Sequence, residues 1–347
     1  MSDSMAAPAN HMDFLKRTLI VVAAACIPVL IWYLFGVILM AFGAVILAML
    51  LRLIAHPLMR RLSLPEPLAL FVALALLVVV VGGAGYLFDT RFAGQFPDVM
   101  ARAGAASSTI EAKVRAAPIG NFLLSHISGA SFSITDIVSK LLSMSTTFVE
   151  GALIMIISGI YLAAQPPLYR RGLIWMFPPS QHARVAEIFD EIGEALRLWL
   201  IGQLVEMILI GALSTLALWL IGVPSALALG IIAAIGEFIP YVGPLLAAIP
   251  AILVALTKSP EAALWTLLAF LLIHQIEGQL VSPLIQRHMV AIPPAVMLLG
   301  IAAITYLFGL VAIIFAAPIA VVVFAAVNLI YVRDTLGEKT TLTRKLG

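Results

Sequence analysis

The chain is predicted to be an all-α polytopic membrane protein, with about eight transmembrane helices plus a re-entrant broken hairpin and both termini cytoplasmic. Three observations predict this. The 347 residues are 63% hydrophobic and 11% charged, with a mean hydropathy of +1.11; a soluble domain carries about 25% charge. The apolar residues fall in runs near the ~20 residues that cross a bilayer. One of those runs, 224–257, follows Gly222 and is interrupted by Pro224, Glu237, Pro240, Gly243, Pro244 and Pro250. Broken backbone at membrane depth is tolerated only where protein buries it or a cavity hydrates it. Transporters build substrate and ion sites from such discontinuous helices.

In chain order, residues 1–12 read as a disordered tail. Lys16 and Arg17 precede an apolar run that continues to Leu51 without a clear small-residue cleavage site, so no signal peptide is expected. Residues 19–51 are long enough for two tight spans with a turn near 34–37, Pro28 kinking the first. The lone cysteine, Cys26, lies in this run, where a small core residue is expected. A third span covers 68–88 and a fourth 147–164, ended by Gln165-Pro166-Pro167. The fifth is 200–221. The broken run 224–257 has two legs that each reach roughly 24 Å, short of the ~30 Å core, so a re-entrant hairpin fits. Residues 262–281 form a sixth span. A double-length stretch, 295–332, is broken near Gly309 and Pro318, in a way that weakly echoes Gly222 to Gly230.

Basic residues orient the spans. Lys16 and Arg17, then Arg52, Arg60 and Arg61, then Arg170, Arg171 and Arg184, then Arg287, then Arg333, Lys339, Arg344 and Lys345 all fall on one side if 224–257 enters and leaves from the other. Three segments follow: 1–88 with the tail and first spans, 89–146 outside the cytoplasm, and 147–347 as the transport core. The outer segment carries short amphipathic stretches such as 134–142. Its five basic residues weigh against an outside location, but it is long enough for the charge rule to fade.

Residues 180–199 read as a cytoplasmic amphipathic helix, with Ser180 as N-cap. Val185, Ile188, Phe189, Ile192, Leu196 and Trp199 form its apolar stripe, and Glu187, Asp190, Glu191 and Glu194 the opposite face. The acidic face suits docking on protein better than on anionic lipid.

Ionisable groups within spans are costly and are functional candidates by default. Four stand out: Glu206, Glu237, His274 and Glu277. Glu237 precedes Pro240, whose ring removes one backbone bond and clashes with the carbonyl of Gly236. Carbonyls freed there could bind a cation or a substrate hydroxyl; the alternative is a hydrated boundary carboxylate. Gln203 and Glu206 share a helix face and either line a pathway or join helices by hydrogen bonds. His274, Glu277 and Gly278 share another face, and Gln275 pairs with Gln279; pathway and hairpin contact are both open. The pathway candidates are Gln203, Glu206, Glu237, Pro240, Tyr241, Gly243, Pro244, His274, Glu277 and Gln279. Gly222, Pro224, Pro250, Pro283, Gly309 and Pro318 are hinge or packing candidates.

Other chemistries lack a signature. His274-Gln-Ile-Glu277 is not His-Glu-x-x-His, and no Gly-x-Ser-x-Gly elbow occurs. No enzyme activity, cofactor or metal is expected. The net charge of +2 is too small to suggest nucleic-acid binding.

Gly202-Gln203, Gly222-Val-Pro224, Phe238-Ile-Pro-Tyr-Val-Gly-Pro244 with Ile249-Pro250, Ser282-Pro283-Leu-Ile285, and Gly309 through Ala317-Pro318 occur in this order. Together they resemble the autoinducer-2 exporter family of bacterial permeases, over nearly the whole chain and most closely over 195–320. The resemblance implies a multi-pass inner-membrane transporter without nucleotide-binding domains, forming a homo-oligomer. It implies export of a small polar signal such as autoinducer-2, or sodium(lithium)/proton antiport. Glu237 stands where that family is often apolar or small. A passive channel or scaffold is the remaining alternative.

Overall fold

A computed structural model describes residues 11–88, 145–286 and 292–337. The predicted outer segment 89–146, apart from its last two residues, lies outside them, as do residues 1–10, Arg287, Lys339, Arg344 and Lys345. The described residues are helical throughout, without a strand. The helices are α1 (His11–Leu62), α2 (Glu66–Phe88), α3 (Ser145–Ala164), α4 (Pro166–Trp175), α5 (His182–Ile221), α6 (Ala226–Gly236), α7 (Val242–Lys258), α8 (Pro260–Ile276), α9 (Ser282–Gln286), α10 (Pro294–Phe308) and α11 (Ile313–Ala326).

Among the described residues, four helices are long and apolar enough to cross a membrane, or five if the bent pair α3–α4 is one span. That pair turns by 94°, because Pro166 and Pro167 can open a helix but cannot continue the preceding one. Four shorter apolar helices accompany them, α6 and α7 included.

The two-span reading of 19–51 is corrected. Residues 11–62 form one helix of 52 residues. Leu34-Phe35-Gly36-Val37 contains no proline and no polar residue to release the backbone. Lys16 and Arg52 then lie about 54 Å apart along the axis, more than a ~30 Å core. The cytoplasmic placement of the N-terminus depended on that turn and is not retained. Cys26 is exposed rather than in the core.

Three clusters build the interior. The first joins α1, α2 and α3 around Leu51, Ala55, Ala69, Ala73 and Ala163. The second joins α1, α5, α10 and α11 around Leu196, Trp199, Ile301, Ala317 and Val321. The third joins α5 to α6, α7 and α8 around Leu218, Leu229, Ala251, Val254 and Phe270. Alanine is frequent at these contacts, as expected where helices in lipid approach through small residues. Large apolar side chains such as Leu271, Leu299 and Tyr306 face outward.

The amphipathic helix and the fifth span are one element, α5. Its acidic face docks on protein: Arg170 donates to Asp190 at 3.0 and 2.6 Å, and Arg333 to Glu191 at 2.7 Å. Arg184 Nε donates to Asp334 at 2.8 Å. These ties put the end of the described chain on the same side as the start of α5. Ser180 is not its cap: it lies in a 3-10 turn, Pro179–Gln181, and Gln181 precedes the helix. Gly222 ends α5 with φ 73°, a left-handed cap suited to glycine, and Lys258 Nζ donates to the Ile221 carbonyl at 2.6 Å.

Gly309, at φ 85°, breaks the final apolar stretch as expected. Pro318 does not. It is buried inside α11, which continues past it.

Candidate functional site

The broken run folds as two short helices. α6 has 11 residues and α7 has 17, about 16 Å and 26 Å long. They cross at two glycines: a Cβ on Gly243 would lie 1.7 Å from the Gly236 carbonyl oxygen. Tyr241 turns the chain between them at φ 67°, a strained value for a side-chain-bearing residue. Its ring is exposed, Pro240, Pro244 and Pro250 are half-buried, and Pro224 is exposed.

Four carbonyls of the break have donors. Gly236 O accepts from Ile239 N at 3.0 Å, Ile239 O from Gly243 N at 2.8 Å, and Pro240 O from Val242 N at 2.8 Å. Glu237 O accepts from Gln203 Nε2 at 2.7 Å. Gln203 therefore acts as a tie between α5 and the break. These bonds close the Gly236, Glu237, Ile239 and Pro240 carbonyls, while the Glu237 side chain keeps an unused oxygen.

Glu237 is 2% exposed, so it is not a hydrated boundary carboxylate. Its Oε2 has no hydrogen-bond partner. One ligand atom each from Glu237, His274 and Glu277 lies within 4.8 Å of the others. His274 Nδ1 and Glu277 Oε2 share a hydrogen bond of 2.7 Å, and His274 Nε2 is buried without a partner. Glu206, one turn from Gln203, accepts from Ser282 Oγ at 3.2 Å. Glu206 and Ser282 tie α5 to the end of the α8 span.

Helix geometry explains why His274 and Glu277 turn inward. After Ile276 the helix widens into a π turn, Glu277–Val281, in which Ser282 N–H reaches back to Glu277 O. Pro283 supplies the cause: it lacks the N–H that would bond Gln279, and its ring crowds that carbonyl. π turns inside α-helices are frequent at functional sites. Pro283 is among the expected hinge or packing residues, and the π turn went unpredicted. The polar stripe is split. Gln275, Gly278 and Gln279 are exposed, and Gln279 lies outside the cluster.

A buried carboxylate at a helix break, near a second carboxylate and a histidine, is the kind of feature from which membrane transport proteins build ion and substrate sites. The chain belongs to the family described as AI-2E family transporter, whose pattern matches residues 19–331. It is 26% identical over 184 residues to the Bacillus subtilis protein named "Putative transport protein YrrI", covering 48% of this chain and 52% of that one. It is 25% identical over 264 residues to "Putative transport protein YueF" of the same organism, covering 70% and 72%. A Mycobacterium tuberculosis protein, "Putative transport protein MT0215", is 32% identical over 169 residues, covering 46% and 43%. The chain thus spans about half the length of YrrI and nearly three quarters of YueF.

Proposed function

We propose that this chain is a secondary transporter of the bacterial inner membrane that exports a small polar metabolite or signal, such as autoinducer-2, driven by an ion gradient. The observation that carries the proposal is Glu237, buried at a helix break with an unused oxygen beside Glu277. Two carboxylates so close in a low-dielectric site do not both stay ionised without a cation or a shared proton. Loading and unloading that charge is coupled to the arrangement of α6, α7 and α8, whose packing sets the distance between them. In this reading α6–α7 is a re-entrant hairpin and the moving gate. Arg170, Arg184 and Arg333 lie in the cytoplasm with the C-terminus. The lipid bilayer is the solvent, the chain works as a homo-oligomer, and residues 89–146 lie on the outer side.

A second reading, sodium(lithium)/proton antiport, is favoured by one feature. Among the described residues no Lys or Arg forms a salt bridge with Glu206, Glu237 or Glu277, so cations or protons are left as the neutralising charge. Proton flux in everted vesicles separates the readings. Under antiport, sodium or lithium collapses a pre-formed pH gradient with wild type and not with Glu237→Gln. Under metabolite export, neither responds to cations alone, and autoinducer-2 added outside accumulates within energised everted vesicles faster with wild type than with Glu237→Gln. Equal movement of cations and autoinducer-2 in both would sink the transport role of Glu237.

A further inference from the structure

We propose that Glu237, His274 and Glu277 form a binding site for a divalent first-row transition-metal ion, which clamps the break between α6 and α7 to the α8 span. The inference does not depend on which solute the chain moves. Its basis is the buried Glu237 Oε2, left without a partner, in a trio that brings one ligand atom each from Glu237, His274 and Glu277 within 4.8 Å of one another. A buried polar atom without a partner is costly and asks for a ligand.

His274 Nδ1 lies 2.7 Å from Glu277 Oε2, so an ion that takes the Nδ1 lone pair finds a Glu277 oxygen beside it. Glu237 brings a carboxylate oxygen from the α6–α7 break.

The donor set selects the ion. Alkali ions favour oxygen donors alone, and an imidazole gives them little. One nitrogen with two carboxylates suits Zn²⁺, Co²⁺, Mn²⁺ or Fe²⁺. Spacing along the chain conceals the site, because Glu237 lies outside the His274–Glu277 helix turn and reaches it only through packing. The ion ties Glu237, at the hairpin break, to α8. Its binding therefore stiffens the hairpin.

The test uses Co²⁺ as an optical probe on the detergent-purified full chain, with any histidine tag removed and Cys26 changed to Ser. The expected result is one Co²⁺ per chain with visible ligand-field bands, displaced by Zn²⁺ and not by excess Na⁺ or Li⁺. Glu237→Gln and His274→Gln each weaken binding at least about tenfold. His274→Cys restores it, with a new thiolate-to-cobalt charge-transfer band that places the metal at position 274. Monodispersity on gel filtration and an unchanged helical circular dichroism signal establish that each variant is folded. No saturable binding by folded wild type overturns the proposal. So does binding that survives both glutamine variants, displacement by Na⁺ or Li⁺, or a folded His274→Cys protein that binds Co²⁺ without the charge-transfer band. Flux assays do not enter this test, so its failure is distinct from failure of the transport reading.

Discussion

Gln203 Nε2 donates to the main-chain carbonyl of Glu237 across 2.7 Å in a buried setting, joining the middle of α5 to the break of the hairpin. The bond places a side chain of a long span on a backbone oxygen of the turn that has no local donor. It also fixes where the Glu237 side chain starts. Gln203→Leu removes the donor with little change in volume and strands that carbonyl, at a cost of about 1–3 kcal/mol. Thermal unfolding of the detergent-purified protein should show it as a lower midpoint. An unchanged midpoint would mean that the tie contributes nothing.

The glycine crossing is the second place where a single atom matters. Gly243→Ala puts a methyl on the Gly236 carbonyl, and backbone on both sides must move. Overpacking of this kind costs about 1–3 kcal/mol. Gly278→Ala, with nothing within 4 Å of its Cβ, serves as the control. Melting curves should separate the two variants, the first destabilised and the second near wild type.

Tyr241 supports a prediction of opposite sign. Its φ of 67° costs a side-chain-bearing residue about 1–2 kcal/mol, and its exposed ring returns little packing. Tyr241→Gly should raise the unfolding midpoint and Tyr241→Val should lower it. If glycine destabilises instead, the ring has a contact that outweighs the backbone strain.

Some of this site is legible along the chain and some is not. Glu206, Glu237, His274 and Glu277 stand out because an ionisable group in an apolar run is costly wherever it ends up. The break at Pro240 stands out because proline acts on its own neighbours. Convergence does not: Glu237 and Glu277 meet only through the packing of α5, α6, α7 and α8. The closing of the Gly236, Glu237, Ile239 and Pro240 carbonyls is not legible along the chain, because it takes donors two to four residues on plus Gln203 from another helix. The long α1 was misread because hydropathy measures length in lipid and contains no turn signal of its own. Ser282 and the π turn were detectable in principle, from Pro283 placed a turn beyond Glu277.

Near the start of α5, Arg184 beside Asp334 holds that carboxyl below the usual carboxylate range, chiefly through the hydrogen bond between them. A lowered native pKa stabilises the fold above the unfolded value of about 3.9 and stops doing so as pH falls through the native value. The gap in unfolding midpoint between wild type and Asp334→Asn should therefore stay constant from about pH 8 to pH 5 and close below about pH 4. A gap that changes near neutrality would point to another titrating group.

On the transport reading, water reaches the edge of the carboxylate cluster past the half-buried Glu206. A single cysteine tests this, because the chain has only Cys26 to remove. A thiol reacts with maleimide as its thiolate, and thiolates form readily only where water or positive charge supports them. In a Cys26→Ser background, Glu206→Cys should react with a membrane-impermeant maleimide added from one side of the membrane, and millimolar substrate or cation should slow the reaction. If a folded Glu206→Cys protein is unreactive to impermeant maleimide from both sides, yet reacts fully once unfolded in detergent, the cluster is sealed and the pathway assigned to it is wrong.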